Sequence, residues 1–365
     1  MRSEANGQRR RTLLSLAALL GGGALPGLSM AQTDRNTTSL AAIRDDLDRE
    51  VVLSLPLRRV VVFNRYTTEF VRAIGAMPAV VGVDIDAAKH RAYWPTVTQA
   101  MWAGSGQTAP NFEAIVAMRP DAVFMPRNSD WKQAERVLAG FGIPVVVVTA
   151  WDLLKHEWNV ELLGRLFARP QPAAELNAFY RRWRDELRRR LEGAARPRVY
   201  FEEVGDHKTV LKGSGWHDMI EAGGGLNIFG DVDILGQPKA RGSVQNFEVD
   251  PEQVLARRPD VLIKLQPGQY EPHTRAFSKG VLERLAKRPG LAALPAVRDG
   301  QVFHISYYLA GGCSKITGAL QIAQWLHPQR MKGIDPQAVM GQWLETFQGV
   351  PAQTGYAVSL AELRT

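Results

Sequence analysis

Residues 113–124, Glu113-Ala-Ile-Val-Ala-Met-Arg-Pro-Asp-Ala-Val-Phe124, return as residues 252–263, Glu252-Gln-Val-Leu-Ala-Arg-Arg-Pro-Asp-Val-Leu-Ile263, at a constant offset of 139. Five identities (Glu, Ala, Arg, Pro, Asp) sit inside one apolar pattern. Each copy reads as a short helix, a Pro-Asp turn and a buried strand. Asn111 and Asp250 suit the N-cap, Pro251 the first helical position, and Glu113 and Glu252 the first turn. Val60-Val61-Val62-Phe63 and Arg198-Val199-Tyr200-Phe201 echo each other 138 residues apart. Two echoes at nearly one offset indicate a duplicated lobe.

Outward from the repeat, residues 58–63, 80–83, 122–125 and 145–148 are short β-branched runs bounded by polar residues, the pattern of strands buried on both faces. They alternate with helical segments, such as Thr67 to Gly75, which predicts parallel sheets. From Ala173 to Glu192 the chain runs without Gly or Pro. Leu176, Phe179, Tyr180, Trp183, Leu187 and Leu191 recur at helical spacing, and arginines fill the other positions. This predicts a helix of about 30 Å with a solvated arginine face. The fold class is therefore α/β: two Rossmann-like lobes with parallel sheets, joined by one long helix, with the cleft between the lobes. The expected domains are 32–165, a connecting segment 166–195, 196–330, and an extension 331–365 to which the sequence assigns no role.

The 365 residues carry a formal charge of +8, and one cysteine, Cys313, excludes an intramolecular disulfide or a Cys-rich metal cluster. Residues 1–31 read as an export signal. Arg9-Arg10-Arg11 precedes an apolar run from Leu13 to Leu20, and Ser29-Met30-Ala31 offers a cleavage site. The core Arg10-Arg11-Thr12-Leu13-Leu14 resembles a twin-arginine signal, and glycines 21–23 with Pro26 stop the run short of a membrane span. Cleavage near Ala31 removes four Arg and one Glu, which leaves +5. The expectation is a periplasmic protein with no lipid anchor, since no cysteine follows the apolar run, and with no nucleic-acid partner. Gly213-Ser214-Gly215 lacks the spacing of a hydrolase nucleophile elbow. Gly104-Ser-Gly106 lacks the third glycine of a dinucleotide site. No enzymatic activity is expected.

In open α/β lobes the helix N-termini lie on the edge that forms the ligand crevice. Two facing lobes would set Glu113 and Glu252 on either side of one cleft, either as dipole-complementing residues or as docking points for a partner's arginines. Together with Ala222-Gly-Gly-Gly-Leu-Asn227 and Leu294-Pro-Ala-Val-Arg-Asp-Gly-Gln-Val-Phe-His304, the repeated motifs resemble the class III periplasmic binding proteins. These serve importers of iron–siderophore, haem, cobalamin and related complexes. The match spans about residues 45–330, with Asp46-Leu-Asp-Arg-Glu-Val51 similar to the family's N-terminal hairpin and Trp325-Leu-His-Pro328 to its closing helix.

The resemblance implies a rigid helix between the lobes, a shallow cleft, and docking of Glu113 and Glu252 on an ABC permease that works with its ATPase subunits. Ligand contacts are expected from loops at strand ends: Arg65, Tyr66, Tyr93, Trp94, Arg127 and Trp151 in the first lobe, and Trp216, His217, Arg241, Tyr270, Tyr307 and Tyr308 in the second. Aromatic rings with guanidinium groups suit a compact anionic metal chelate. Iron is the leading metal and a ferric siderophore the leading cargo, ahead of a corrinoid, haem, or an oxyanion such as molybdate. No resident cofactor or protein-held metal is expected, and the protein is read as a monomer. A ligand sensor for a membrane receptor is the rival within the same fold.

Overall fold

The computed structural model describes residues 38–234, 243–267 and 270–365. A hairpin of β1 (Ser39–Arg44) and β2 (Glu50–Leu55) opens it, closed by Asp45, whose carboxylate accepts from Leu47 and Arg49 amides and pairs with the Arg49 guanidinium. Next come β3 (Val60–Val62), β4 (Val80–Asp84), β5 (Trp102–Gly104), β6 (Ala122–Met125) and β7 (Val145–Val147). Among the described residues they form a parallel five-stranded sheet in the order β5-β4-β3-β6-β7. The chain leaves β3 to one side and returns to the other at β6, so the crevice at the strands' carboxyl ends opens beside Asn64 and Arg127.

The second sheet is built from β8 (Arg198–Glu202), β9 (Lys208–Thr209), β10 (Leu226–Asn227), β11 (Phe247–Glu248), β12 (Val261–Gln266), β13 (Val302–Ser306) and β14 (Ala357–Ser359). Its centre, β10-β8-β12-β13, is parallel as expected. Its edges are antiparallel, which the sequence did not show: β9 and β11 pair with each other, and β14 closes the far side on β13. These edge strands of two or three residues are too short to carry a period of two.

The repeat holds at the level of hydrogen bonds. Val60 pairs with Ala122 and Val199 with Val261, so the opening strands correspond at 139 residues, one more than their apolar pattern suggests. Arg119 and Arg258 both end their helices at left-handed φ, 47° and 43°. The Asp121 carboxylate then accepts from the Arg58 and Arg59 amides, and that of Asp260 from the Arg198 amide. The side chains of Arg59 and Arg198 reach back to helix-end carbonyls of Arg119 and Arg257. The Pro-Asp turn thus fastens each returning strand to the strand that opens its lobe.

The linking helix is Pro170–Leu191, with both prolines in its first turn, where no amide partner is lost. Leu176, Phe179, Tyr180 and Leu187 are buried. Five of its six arginines are ion-paired: Arg181 and Arg184 with Glu157, Arg188 with Asp185, Arg189 and Arg190 with Glu186; Arg182 lies over the Trp183 ring.

Tyr93, Trp94, Tyr270 and Tyr308, expected in the cleft, are instead packed against one another between the lobes, each 5% exposed or less. The rings of Tyr93 and Tyr270 stack at 3.7 Å and 12°. Trp94 Nε1 donates to Tyr270 Oη at 2.9 Å, and the hydroxyls of Tyr93 and Tyr308 share a hydrogen bond. The C-terminal extension completes this cluster. Trp343 Nε1 donates to Tyr308 Oη at 3.1 Å, and Gln348 bonds both Arg72 and the Glu69 carbonyl. Trp343 is fully buried, so Trp343→Ala should lower the unfolding free energy by about 3–5 kcal/mol. Urea denaturation followed by circular dichroism measures this, and a loss below about 1 kcal/mol contradicts the packing.

Candidate functional site

The carboxyl ends of both sheets meet at a cavity of about 330 Å³. The first lobe contributes Asn64, Arg65, Tyr66, Asp84, Asp86, Gln107, Asn128 and Trp151; the second contributes Gly215, Trp216, Gln245, Tyr307, Gly311 and Lys315. Of the residues predicted from sequence, the cavity brings together Arg65, Tyr66, Trp151, Trp216 and Tyr307.

Arg65 starts the helix Arg65–Ala73, which Asn64 caps by accepting from the Tyr66 amide at 2.8 Å. Its guanidinium lies 4.9 Å from the Tyr66 ring centre and 5.5 Å from that of Tyr307, and Nη2 donates to Tyr66 Oη at 2.9 Å. Among the described residues no carboxylate lies within ion-pair distance of it, so its charge is braced by rings rather than neutralised. Tyr66 crosses to the second lobe because Gly312 leaves room: a Cβ there would fall inside its ring.

The other predicted residues lie elsewhere. Arg127 does not line the cavity; it forms a two-pronged ion pair with Asp152. His217, on the helix Gly215–Ala222, faces a separate hollow with Lys212 and Asp231, its Nδ1 3.2 Å from Asn227 Nδ2. Tyr93, Trp94, Tyr270 and Tyr308 belong to the inter-lobe cluster, because their flat rings and single polar tips satisfy each other there. Arg241 lies outside the described residues, as does the export signal of residues 1–31. Cys313 is buried, and its thiol points to the Tyr66 carbonyl at 3.0 Å. Among the described residues no group of three or more His, Cys, Asp or Glu side chains is placed to hold a metal ion.

Sequence reading missed Lys315, Asp84, Asp86, Gln107 and Gln245. Lys315 opens the helix Lys315–Leu326, most of which is buried, and is itself 1% exposed. A lysine leading into so apolar a run, after Gly311-Gly312-Cys313-Ser314, was the available signal. Its Nζ donates to the Trp151 carbonyl and has no carboxylate within 4 Å among the described residues. Burial pushes its pKa down to about 8, against the pull of Asp152 and Asp218. Asp84 ends β4 and Asp86 follows two residues later. Burial, reinforced by Asp86, pushes the Asp84 carboxyl up to about 6, while its Oδ1 caps the Asp86 and Ala87 amides. Asp86 pairs with Lys89 at 3.0 Å. The cavity's carboxylates are thus engaged, while among the described residues Arg65 and Lys315 have no carboxylate within ion-pair distance.

Glu113 and Glu252 are both exposed. They occupy the first turns of the helices Phe112–Met118 and Pro251–Ala256, capped by Asn111 and Asp250.

Two α/β lobes on one long helix, with an aromatic and cationic cavity where their strand ends meet, define a two-lobed ligand-binding protein. The sequence profile of the periplasmic binding proteins matches residues 60–308, and the chain belongs to this family, in its class III branch. A relative named vitamin B12-binding protein, from Vibrio campbellii, is 23% identical over 209 residues, which are 57% of this chain and 70% of the relative. The molybdate-bound periplasmic binding protein MolA of Haemophilus influenzae superposes with a TM-score of 0.68 at 20% identity, covering 86% of this chain and 99% of MolA. The TroA-like periplasmic binding protein FepB of Veillonella parvula gives 0.68 at 20% identity, covering 87% and 99%. These structural likenesses are of fold. Members of the family are transport binding proteins that work with the permease and ATPase components of ABC importers, and among the described residues no helix is long and apolar enough to cross a membrane.

The buried ammonium of Lys315 is held at a cost. Below about pH 8 the folded and unfolded states both carry the proton, so that cost is full; between 8 and 10.5 the folded state gives its proton up first, and the cost fades. Lys315→Met should therefore be about 1–3 kcal/mol more stable than the parent at pH 7. The gap should narrow as pH rises through that window, and thermal melts of both proteins from pH 6 to 10 measure it. A variant less stable at every pH contradicts the assignment.

Proposed function

We propose that the protein captures an anionic metal chelate, a ferric siderophore, in the periplasm and delivers it to an ABC importer. The observation that carries this reading is Arg65: a guanidinium between tyrosine rings at the junction of the lobes, with no carboxylate to pair with among the described residues. Rings cover the flat apolar surface of a chelate, and the cation takes its carboxylate or phenolate oxygens. The metal stays in the chelate's own ligands. The leader at residues 1–31, cleaved near Ala31, would send the chain to the periplasm, where it would act as a monomer. Glu113 and Glu252, exposed on equivalent helix starts of the two lobes, would meet arginines of the permease, with orientation and encounter rate as their contribution.

A corrinoid is the second reading, favoured by the sequence relatives named vitamin B12-binding protein. Titration of the protein at pH 7 against ferric hydroxamate and catecholate chelates, cyanocobalamin, haemin and molybdate separates the two, with Trp151 and Trp216 as fluorescent reporters. A saturable response to a ferric chelate at micromolar concentration or below is expected; a response to cyanocobalamin alone would replace the cargo with a corrinoid. In cells, charge reversal of both Glu113 and Glu252 to Arg should abolish uptake and leave cargo affinity within about two-fold. Lost affinity with intact uptake would overturn the docking role and return both residues to helix-dipole partners.

A further inference from the structure

The inter-lobe cavity is lined by residues whose buried donors have no partner among the described residues. The side-chain nitrogens of Asn64, Trp151 and Trp216 are buried and have no acceptor among the described residues. Lys315 Nζ, with three protons to give, has one acceptor among the described residues, the Trp151 carbonyl. All four residues line the one cavity. The Asn64 acceptor, Oδ1, is already used on the Tyr66 amide, so the surplus is one-sided. Buried donors without acceptors are rare in folded proteins and mark places where a partner completes the set.

The charges around Lys315 point the same way. Asp152 is held by Arg127, and Asp218 is half-buried with its carboxyl pushed up by burial; neither lies within 4 Å of the ammonium. Gly215 keeps the approach open, because a Cβ at that position would collide with Nζ and with the Trp151 carbonyl. Space, positive charge and hydrogen-bond donors therefore come together in the lining of this cavity.

We infer that this part of the lining, formed by Asn64, Trp151, Trp216 and Lys315, is a subsite for one compact acceptor-only anionic group of the cargo, a carboxylate or similar oxyanion. The inference deepens the proposed capture of an anionic chelate and rests on it for the location of the cargo. The same chemistry is available from an acidic arm of a chelate or from a free oxyanion, and the test has an arm for each.

Isothermal titration of the full-length protein would use three probes: a ferric trihydroxamate bearing a free carboxylate, the same chelate with that carboxylate amidated, and sodium molybdate. The parent should bind the acid chelate about 10–100-fold more tightly than the amide, the usual worth of hydrogen bonds to a charged group. Lys315→Met should erase that preference while the amide's affinity stays the same. Trp151→Phe with Trp216→Phe, which keeps the rings and removes the N–H groups, should reduce the preference about 3–10-fold. Melting curves identify any variant that fails to fold, and the indole double variant then stands as the independent probe. Equal binding of acid and amide by the parent overturns the subsite and leaves chelate capture standing. Tight molybdate binding that Lys315→Met abolishes, with neither chelate bound, supports the subsite and overturns the chelate reading.

Discussion

The stack of Tyr93 on Tyr270 is the contact on which the cleft depends. Each lobe ends in a row of strand termini that it cannot cover by itself, and the aromatic cluster seals one side of that row. The hydroxyls and indole nitrogens of Trp94, Tyr270, Tyr93, Tyr308 and Trp343 satisfy one another, so the seal is specific in geometry as well as apolar. The Pro170–Leu191 helix spans the lobes, and the cavity of about 330 Å³ adjoins the cluster through Arg65, whose guanidinium lies 5.9 Å from the Tyr270 ring centre. Arg65 and Lys315 both line that cavity, Arg65 against the rings of Tyr66 and Tyr307 and Lys315 on the Trp151 carbonyl.

Charge is distributed in two ways. Along the linking helix, Arg181, Arg184, Arg188, Arg189 and Arg190 are all matched by carboxylates, and their positive charge is largely spent at the surface. In the cavity the pattern is reversed. Asp84 caps a helix start and Asp86 pairs with Lys89, while among the described residues Arg65 and Lys315 have no carboxylate within ion-pair distance. A formal charge of +8 would suggest a generally basic surface; among the described residues the cations that line the cavity are these two. Burying an unpaired ammonium is unfavourable for folding, and proteins accept that cost chiefly where a site requires it.

The fold was legible because its signals are strong and local. Strands buried on both faces read as apolar runs, the linking helix declares itself through Leu176 to Leu191, and the Pro-Asp element carries its own duplication. Edge strands β9, β11 and β14 were not legible, since two or three residues give no period. The site was half legible. Tyr66, Trp151, Trp216 and Tyr307 face the cavity, while Tyr93, Trp94, Tyr270 and Tyr308 seal the lobes. Both groups have the same sequence signature, an amphipathic ring after a strand, and only the approach of the other lobe tells them apart. Arg127 looked like a free cation because its partner, Asp152, is 25 residues away. Lys315 was hidden by its setting: a lysine at a helix start normally reads as solvated, and the burial of that helix is a tertiary fact.

The central claim is that the cavity holds an anionic metal chelate, with the metal bound by the chelate and the chelate by the protein. Isolation of the protein from the periplasm under native conditions, followed by metal analysis, absorbance spectroscopy and mass spectrometry of the released ligand, addresses it most directly. The account predicts one metal per chain, released together with an acidic organic chelator. A metal that stays on the protein after the organic component is removed, or a bound ligand that is metal-free and uncharged, would contradict it.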